Sequence, residues 1–322
     1  MTSVQERNSP TSTAERAVVL EGVSKQFGEH RAVSDMNLIV PRGCVYGFLG
    51  PNGAGKTTTI RMILSIFEPS QGRVEILGRR SALEVRNRIG YLPEEKGLYR
   101  KMKAWAVIAY FGALKGMTHS SAKARAIELL REYGLGDFVN HKCDQLSKGM
   151  QQKVQLLASI VHDPELVILD EPFSGLDPVN QEVMEGAIRT LKNSGRTVIF
   201  STHIMEHAER LCDRIVLIAK GRRVFDGTVE EAKRSVPRRV RIGVDGSPDA
   251  LQRVPSIRSV RPAEGAPHLL EVDLAPGADP DALLRTCFES GVVLRSFDRS
   301  DPTLLDVFKA LVKAQGASAL TQ

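Results

Sequence analysis

The sequence predicts an α/β protein followed by a smaller α+β domain. Three observations carry this prediction. A glycine-rich loop, Gly50 to Thr57, stands between an apolar strand-like run and a run with helical periodicity. A second apolar run, Leu166 to Leu169, ends in two acids and suits a strand buried on both faces. Beyond residue 236 proline and glycine recur, and the order of short elements changes.

Residues 1–16 are rich in Ser, Thr, Glu and Asn, the composition of a disordered tail. Ala17 to Val23 and Ala32 to Val40 read as strands, joined by a hairpin at Gly28-Glu29-His30. Cys44 to Gly50 reads as a buried strand. Thr57 to Phe67 places Ile60, Ile63, Leu64 and Phe67 at helical spacing. Residues 102–134 read as helical, as does Lys148 to Val161. After the strand at Leu166 come helix Glu182 to Lys192, strand Thr197 to Ser201 and helix Ile204 to Leu211. A last hairpin, Ile215 to Ala219 and Arg222 to Phe225, turns at Lys220-Gly221. Behind it stand strand 238–244, helix 248–253, strands 256–261 and 268–274, helix 279–289 and strand 292–298. That βαββαβ order is the order of a ferredoxin-like unit. A final helix spans Pro302 to Ala314. The expected division is therefore a tail over 1–16, a first domain over 17–233 and an accessory domain over 236–314.

The chain has 322 residues, 42% hydrophobic and 25% charged, enough to bury a core without disulfide staples. Its net charge of +6 is too small to indicate nucleic acid by itself. Ala104 to Leu114, a long uncharged stretch, is too short to span a bilayer. The polar N-terminus has no apolar core of a signal peptide. Cys44, Cys143, Cys212 and Cys287 show no metal-type spacing and suggest no disulfide framework. No short-period repeat is present. The expectation is a soluble protein of a reducing, cytoplasmic compartment.

Gly50-Pro51-Asn52-Gly53-Ala54-Gly55-Lys56-Thr57 matches the phosphate-binding P-loop, in the required strand–loop–helix context. Gly53 and Gly55 let backbone N–H groups turn inward around phosphate oxygens. The helix that follows points its partial positive end at the same anion. Lys56 neutralises β- and γ-phosphate charge, Thr57 offers a hydroxyl to Mg²⁺, and Thr58 reaches the α-phosphate. Asp170, at the end of the Leu166 strand, supplies a carboxylate for the same Mg²⁺. Glu171 follows it and suits a general base for the attacking water.

The remaining motifs resemble those of ABC ATPases, in that family's order, over residues 17–230. Leu146-Ser147-Lys148-Gly149-Met150-Gln151-Gln152 resembles the signature, with Ser147 lying 23 residues before Asp170. Asp170-Glu171-Pro172 and Ser174-Gly175-Leu176-Asp177-Pro178 resemble the extended B motif and D-loop. Ser201-Thr202-His203 resembles the switch-histidine loop, and Gly90-Tyr91-Leu92-Pro93-Glu94 the Q-loop. IGYLPEEKGLY (Ile89 to Tyr99) and His203-Ile204-Met205-Glu206-His207 resemble ATP-binding subunits of bacterial exporters, nearest the sodium-export (NatA-like) and multidrug-export subgroup.

The resemblance implies an ABC-type nucleotide-binding domain: a RecA-like core, an antiparallel β subdomain and a helical subdomain, followed by the accessory domain. It implies an ATPase with ATP and Mg²⁺ as ligands, and Phe27 stacked on adenine. It implies Ser147 and Gly149 facing the γ-phosphate of a second ATP-binding subunit, identical or paired. Asp177 would act at that dimer interface, Glu94 would join the metal ligands, and His203 would hold the γ-phosphate beside Glu171. The implied partner is a separate membrane permease, reached by peripheral association at the cytoplasmic face of the membrane, with no direct nucleic-acid contact. Lys148, Met150 and Glu94 depart from the family pattern. His207, one helical turn beyond His203, reads as surface.

Two other classes compete. A soluble ABC ATPase of DNA repair would carry a long coiled coil between Lys56 and Asp170, which here stand only 114 residues apart with no sustained heptads; one of translation would carry two such domains. A regulatory module would place a ligand site in the accessory domain, where no residue pattern marks one. The charge is uneven: residues 79–153 hold fifteen basic and seven acidic residues. Such a segment can face anionic lipid or acidic permease loops, with Arg100, Lys101 and Lys103 at its centre.

Overall fold

The computed structural model describes residues 15–95, 97–236, 239–245, 251, 257–263, 266–274, 279–289, 293–300 and 302–318. The chain divides into two compact units, Met1–Thr228 and Val229–Gln322.

In the first unit, β1 (Arg16–Phe27) and β2 (His30–Pro41) form the expected hairpin, longer at both ends than periodicity suggested. Arg16, expected in the tail, already opens β1, and Glu15 accepts the Arg42 amide through its carbonyl. β3 (Val45–Leu49) leads to α1 (Lys56–Ile63), which stops short of Phe67 because Ser65 adopts a left-handed φ of 55°. β4 (Gln71–Ile76) completes an antiparallel sheet of order β2-β1-β4. It was not anticipated: half its residues are exposed, and its sequence QGRVEI lacks a buried stripe. β5 (Ile89–Leu92) has only four residues and is legible only as part of a loop motif.

The helical segment is broken. α2 (Ala104–Leu114) and α3 (His119–Glu132) are separated by a turn with Gly116 at φ 94°. Thr118 caps α3 by accepting the Ser121 amide, so its hydroxyl replaces a missing intrahelical partner. α4 (Lys148–Ile160), β6 (Leu166–Leu169), α5 (Pro178–Asn193), β7 (Thr197–Thr202) and α6 (Met205–Leu211) follow, then the hairpin of β8 (Arg214–Ala219) and β9 (Arg222–Thr228).

The second sheet has the order β5-β6-β7-β3-β8-β9, parallel except for β9. All residues of β3, β6 and β7 are buried, the burial expected of parallel strands covered on both faces. Tyr46, Phe48, Ile60, Ile168 and Ile199 anchor the core. Because β6, β7 and β3 are parallel neighbours, the loops at their carboxyl ends converge on one edge of the sheet. That edge carries the P-loop, Asp170-Glu171 and the end of β7 with His203.

The second unit opens with α7 (Val229–Arg234), which had been expected to belong to the first domain, and continues with β10 (Arg239–Asp245), β11 (Ile257–Ala263), β12 (Ala266–Leu274), α8 (Pro280–Glu289), β13 (Val293–Ser300) and α9 (Leu304–Ser318). Its strands pair antiparallel in the order β11-β12-β10-β13. Counted within the unit this is 2-3-1-4, a split arrangement in which the third strand lies between the first two. Val240, Ile242, Val272, Leu274, Leu283 and Cys287 form its core. The helix expected at 248–253 lies outside the described residues, apart from Leu251, which is buried in that core.

Candidate functional site

Local chemistry shapes the P-loop first. Gly55 has φ 103° and packs on the Ala32 carbonyl, where any Cβ would collide. Gly221, at the turn after β8, presses on the same carbonyl. Glycine is thus required twice to let the loop close against β2. The Gly221 amide donates to the Ala54 carbonyl at 3.0 Å and the Gly50 amide to the Thr202 carbonyl at 3.4 Å, which anchors the loop between β8 and β7.

The functional side chains meet at the sheet edge. Lys56 Nζ donates to the Gly50 carbonyl at 2.8 Å and the Pro51 carbonyl at 3.2 Å. It also lies 3.2 Å from Glu171 Oε1. Glu171 Oε2 is 3.0 Å from His203 Nδ1. Since an ionised carboxylate only accepts, Nδ1 carries the proton in this contact and Nε2 is left for another partner. Thr57 Oγ1 donates to Asp170 Oδ1 at 3.1 Å, and Ser201 Oγ donates to the same oxygen at 2.6 Å. The Glu171 amide donates to Ser201 Oγ at 2.9 Å. Glu171 itself has φ 48°, a left-handed conformation rare outside glycine.

Burial pushes the Asp170 carboxyl above its ordinary value. The hydrogen bonds from Ser201 and Thr57 oppose that shift, and the Glu171 charge adds to it. Its second oxygen, Oδ2, is buried without a hydrogen-bond partner. A buried carboxylate oxygen beside a threonine hydroxyl suits a hard divalent cation, so the residues present fit Mg²⁺.

A cavity of about 400 Å³ opens in front of these groups, lined by Phe27, His30, Lys56, Thr57, Glu94 and Glu171, with Asn52, Gly53 and Thr58 on the loop side. Phe27 is 42% exposed and meets Phe67 edge to face at 5.4 Å, with Lys25 Nζ 5.1 Å from its ring centre. It presents an open aromatic surface at the cavity mouth. His30 stands opposite it in the hairpin register and was not anticipated as a lining residue.

The other expected residues lie at two helix starts. Ser147 caps α4, accepting the Met150 amide at 3.3 Å, and Lys148 beside it is exposed. Asp177 caps α5, accepting the Asn180 amide at 2.9 Å, while the Asn180 side chain donates to its other oxygen at 2.6 Å. Gly149 packs against that Asn180 amide, where a Cβ would overlap it. Asn180 therefore joins the signature-like and D-loop-like segments, a link that the spacing could not show. Gln152 Nε2 adds another by donating to the Pro172 carbonyl at 2.6 Å.

His207 corrects the sequence reading. It is 2% exposed, stacks on Phe173 with ring centres 4.0 Å apart, and reaches Glu185 Oε1 at 3.2 Å. Glu185 also pairs with Arg210 at 2.7 Å. The helix start at Met205 turns this face inward, against the D-loop segment, rather than toward solvent. In the sequence Ser201 stands out only as part of the Ser201-Thr202-His203 motif, and its bonds to both acids depend on strand order.

Comparison with known proteins agrees with this geometry. Residues 33–174 match the ABC transporter family, and residues 227–312 match the DrrA1-3-like ATP-binding protein C-terminal domain. The chain is 39% identical to the ABC transporter ATP-binding protein YhaQ of Bacillus subtilis, over 90% of this chain and 97% of that one. It is 39% identical to the ABC transporter ATP-binding protein NatA of the same species, over 68% of this chain and 93% of the relative. Among solved structures it is similar to the ATP-binding cassette MJ0796, a dimer in a post-hydrolysis state bound to ADP and Pi. That likeness has a TM-score of 0.60 and 27% identity, and covers 66% of this chain and 98% of the other.

Proposed function

From the premise that the chain belongs to the ABC transporter ATP-binding proteins, and is the ATP-hydrolysing motor subunit of a transporter, we propose how its residues divide the work. The observation that carries the assignment is the linked group of Lys56, Thr57 and Glu171 at the cavity wall with Asp170 bonded to Thr57 and His203 to Glu171. The P-loop amides and Lys56 hold the phosphates of ATP, and Phe27 supports the adenine by stacking. Thr57 and Asp170 hold Mg²⁺, with Glu94 at the cavity wall as a further oxygen ligand. When bound, that ion neutralises phosphate charge and steadies the transferred group. Glu171 takes a proton from the attacking water at Oε1 or Oε2. His203, with Nδ1 turned to Glu171, offers Nε2 to the γ-phosphate.

Ser147, Gly149 and Asp177 serve the second nucleotide of a head-to-tail pair of ATP-binding subunits. A capped helix start with exposed Ser147 and Lys148 is an anion site of the kind that needs such a partner. The pair drives a separate permease at the cytoplasmic face of the membrane. Among the described residues no helix is long and apolar enough to cross a membrane. The resemblance of Ile89 to Tyr99 and the DrrA-like C-terminal match favour export, of sodium ions or drugs.

Glu171→Gln tests the centre of the proposal. Phosphate release should fall by at least about a hundredfold, as expected for loss of a general base. ATP should still be bound and should now hold a dimer visible by gel filtration. Turnover at the parent rate removes Glu171 from the role.

A further inference from the structure

We propose that Ser201 is a positioning residue that grips both acids of the site, aiming Asp170 at the metal and fixing the Glu171 backbone. The proposal rests on the reading of Asp170 and Glu171 given above. Ser201 is fully buried at the carboxyl end of β7, beside the end of β6. Its hydroxyl has one proton, and that proton goes to Asp170 Oδ1 at 2.6 Å. Its lone pair receives the Glu171 amide at 2.9 Å. One side chain thus sets the two residues on which metal binding and proton abstraction depend.

The geometry gives this grip two consequences. Asp170 Oδ1 is occupied by Ser201 and Thr57, so the carboxylate cannot rotate without breaking two bonds, and its unpartnered Oδ2 faces a single direction. Glu171 holds φ 48°, a strained conformation that persists only where neighbours over-determine it. The end of β7 over-determines it from two points: Ser201 lies within the strand and His203 just past its last residue, Thr202. Ser201 takes the Glu171 amide and His203 takes its carboxylate. An apolar side chain at 201 would leave the Glu171 amide buried without a partner and free Asp170 to turn.

The test uses the purified full chain with Ser201→Ala and the near-isosteric pair Ser201→Thr and Ser201→Val, which differ by the hydroxyl. Three quantities are read: turnover, the Mg²⁺ concentration for half-maximal binding of a fluorescent ATP analogue, and affinity for that analogue in EDTA. Losing the hydroxyl should lower turnover and raise the Mg²⁺ requirement, each by about tenfold, the factor that an orphaned buried hydrogen-bonding group implies. Affinity in EDTA should stay within about twofold, because the phosphate cradle is untouched. Ser201→Thr should recover most of both losses and Ser201→Val should not. If Ser201→Ala is too unstable to purify, the Thr and Val pair gives the same comparison. Equal Mg²⁺ requirements in the Thr and Val variants overturn the proposal. Asp170→Asn runs alongside. If it leaves the Mg²⁺ requirement unchanged, the reading of Asp170 falls; if it shifts that requirement while Ser201→Val does not, the Ser201 proposal falls alone.

Discussion

Lys56 Nζ lies 3.2 Å from Glu171 Oε1, and both side chains are less than a tenth exposed. The lysine of the P-loop and the proposed base therefore form a buried ion pair. The same ammonium is tied to the Gly50 and Pro51 carbonyls, and the other glutamate oxygen to His203.

This pair makes the first prediction. Breaking a buried pair by removing one partner strands the other charge. Lys56→Met should therefore destabilise the nucleotide-free protein by on the order of 3 kcal/mol. The double variant Lys56→Met with Glu171→Gln should regain most of that loss. Urea unfolding of the four proteins in a double-mutant cycle measures the coupling, and additive losses would show that the two residues do not interact.

The contact of Gly149 with Asn180 makes the second. Gly149→Ala places a methyl on an amide already held by Asp177, so the start of α5 must shift. Turnover should fall by about tenfold or more, the scale of one to two kcal/mol of misplacement. Adding Asn180→Ala should restore part of it by clearing the space. A double variant as slow as Gly149→Ala places the defect elsewhere in the signature-like helix.

His207 makes the third. Its ring stacks on Phe173, two residues beyond Glu171, and its Nδ1 meets Glu185. His207→Leu removes both contacts and should cost about 2 kcal/mol in denaturant unfolding. It should lower kcat more than it raises KM, since Phe173 sits between the base and the D-loop. His207→Phe keeps the stack and should lose less of both. Equal losses in the two variants would assign the effect to Glu185.

The fourth concerns pH. His162 Nε2 is 3.1 Å from the Ile89 carbonyl, which also accepts from Lys115 Nζ at 2.9 Å. Burial, and then the Lys115 charge, hold the imidazole down at about 4, against an ordinary value of 6.5. Between those two values the unfolded chain binds a proton that the folded chain refuses. Stability is therefore undiminished above 6.5, falls as the pH drops through that window, and levels off below about 4. The whole window is worth about 3 kcal/mol, and about 2 kcal/mol is lost by pH 5. His162→Gln keeps a donor for Ile89 and does not titrate. Urea unfolding at pH 7.5 and pH 5 should show a smaller loss in that variant by about the same 2 kcal/mol. Equal losses would discount His162 as the titrating group.

Much of the architecture was legible where local chemistry is decisive. The strand Leu166–Leu169 was read to the residue, because four apolar side chains before two acids admit few other structures. The P-loop was legible because its glycines answer a backbone requirement that the sequence states outright. β4 and β5 were not legible, since a half-exposed edge strand and a four-residue strand carry too little periodicity. The break between α2 and α3 lies in a stretch rich in Ala, Leu and Lys, whose helical pattern outweighed the stop that Gly116 and the cap Thr118 encode.

The sequence by itself determined the phosphate loop, the two acids, the motif order and hence the family, because each of these is a contiguous pattern with its own physical cause. Only the tertiary structure decided which separated residues share an atom. Strand order set β6 and β7 side by side, and so gave Ser201 its grip on Asp170 and Glu171. Helix packing put His207 under Phe173 and Asn180 against Gly149. These contacts join residues 30 to 34 positions apart in the chain. They follow from how strands pair and helices pack, which no local pattern encodes.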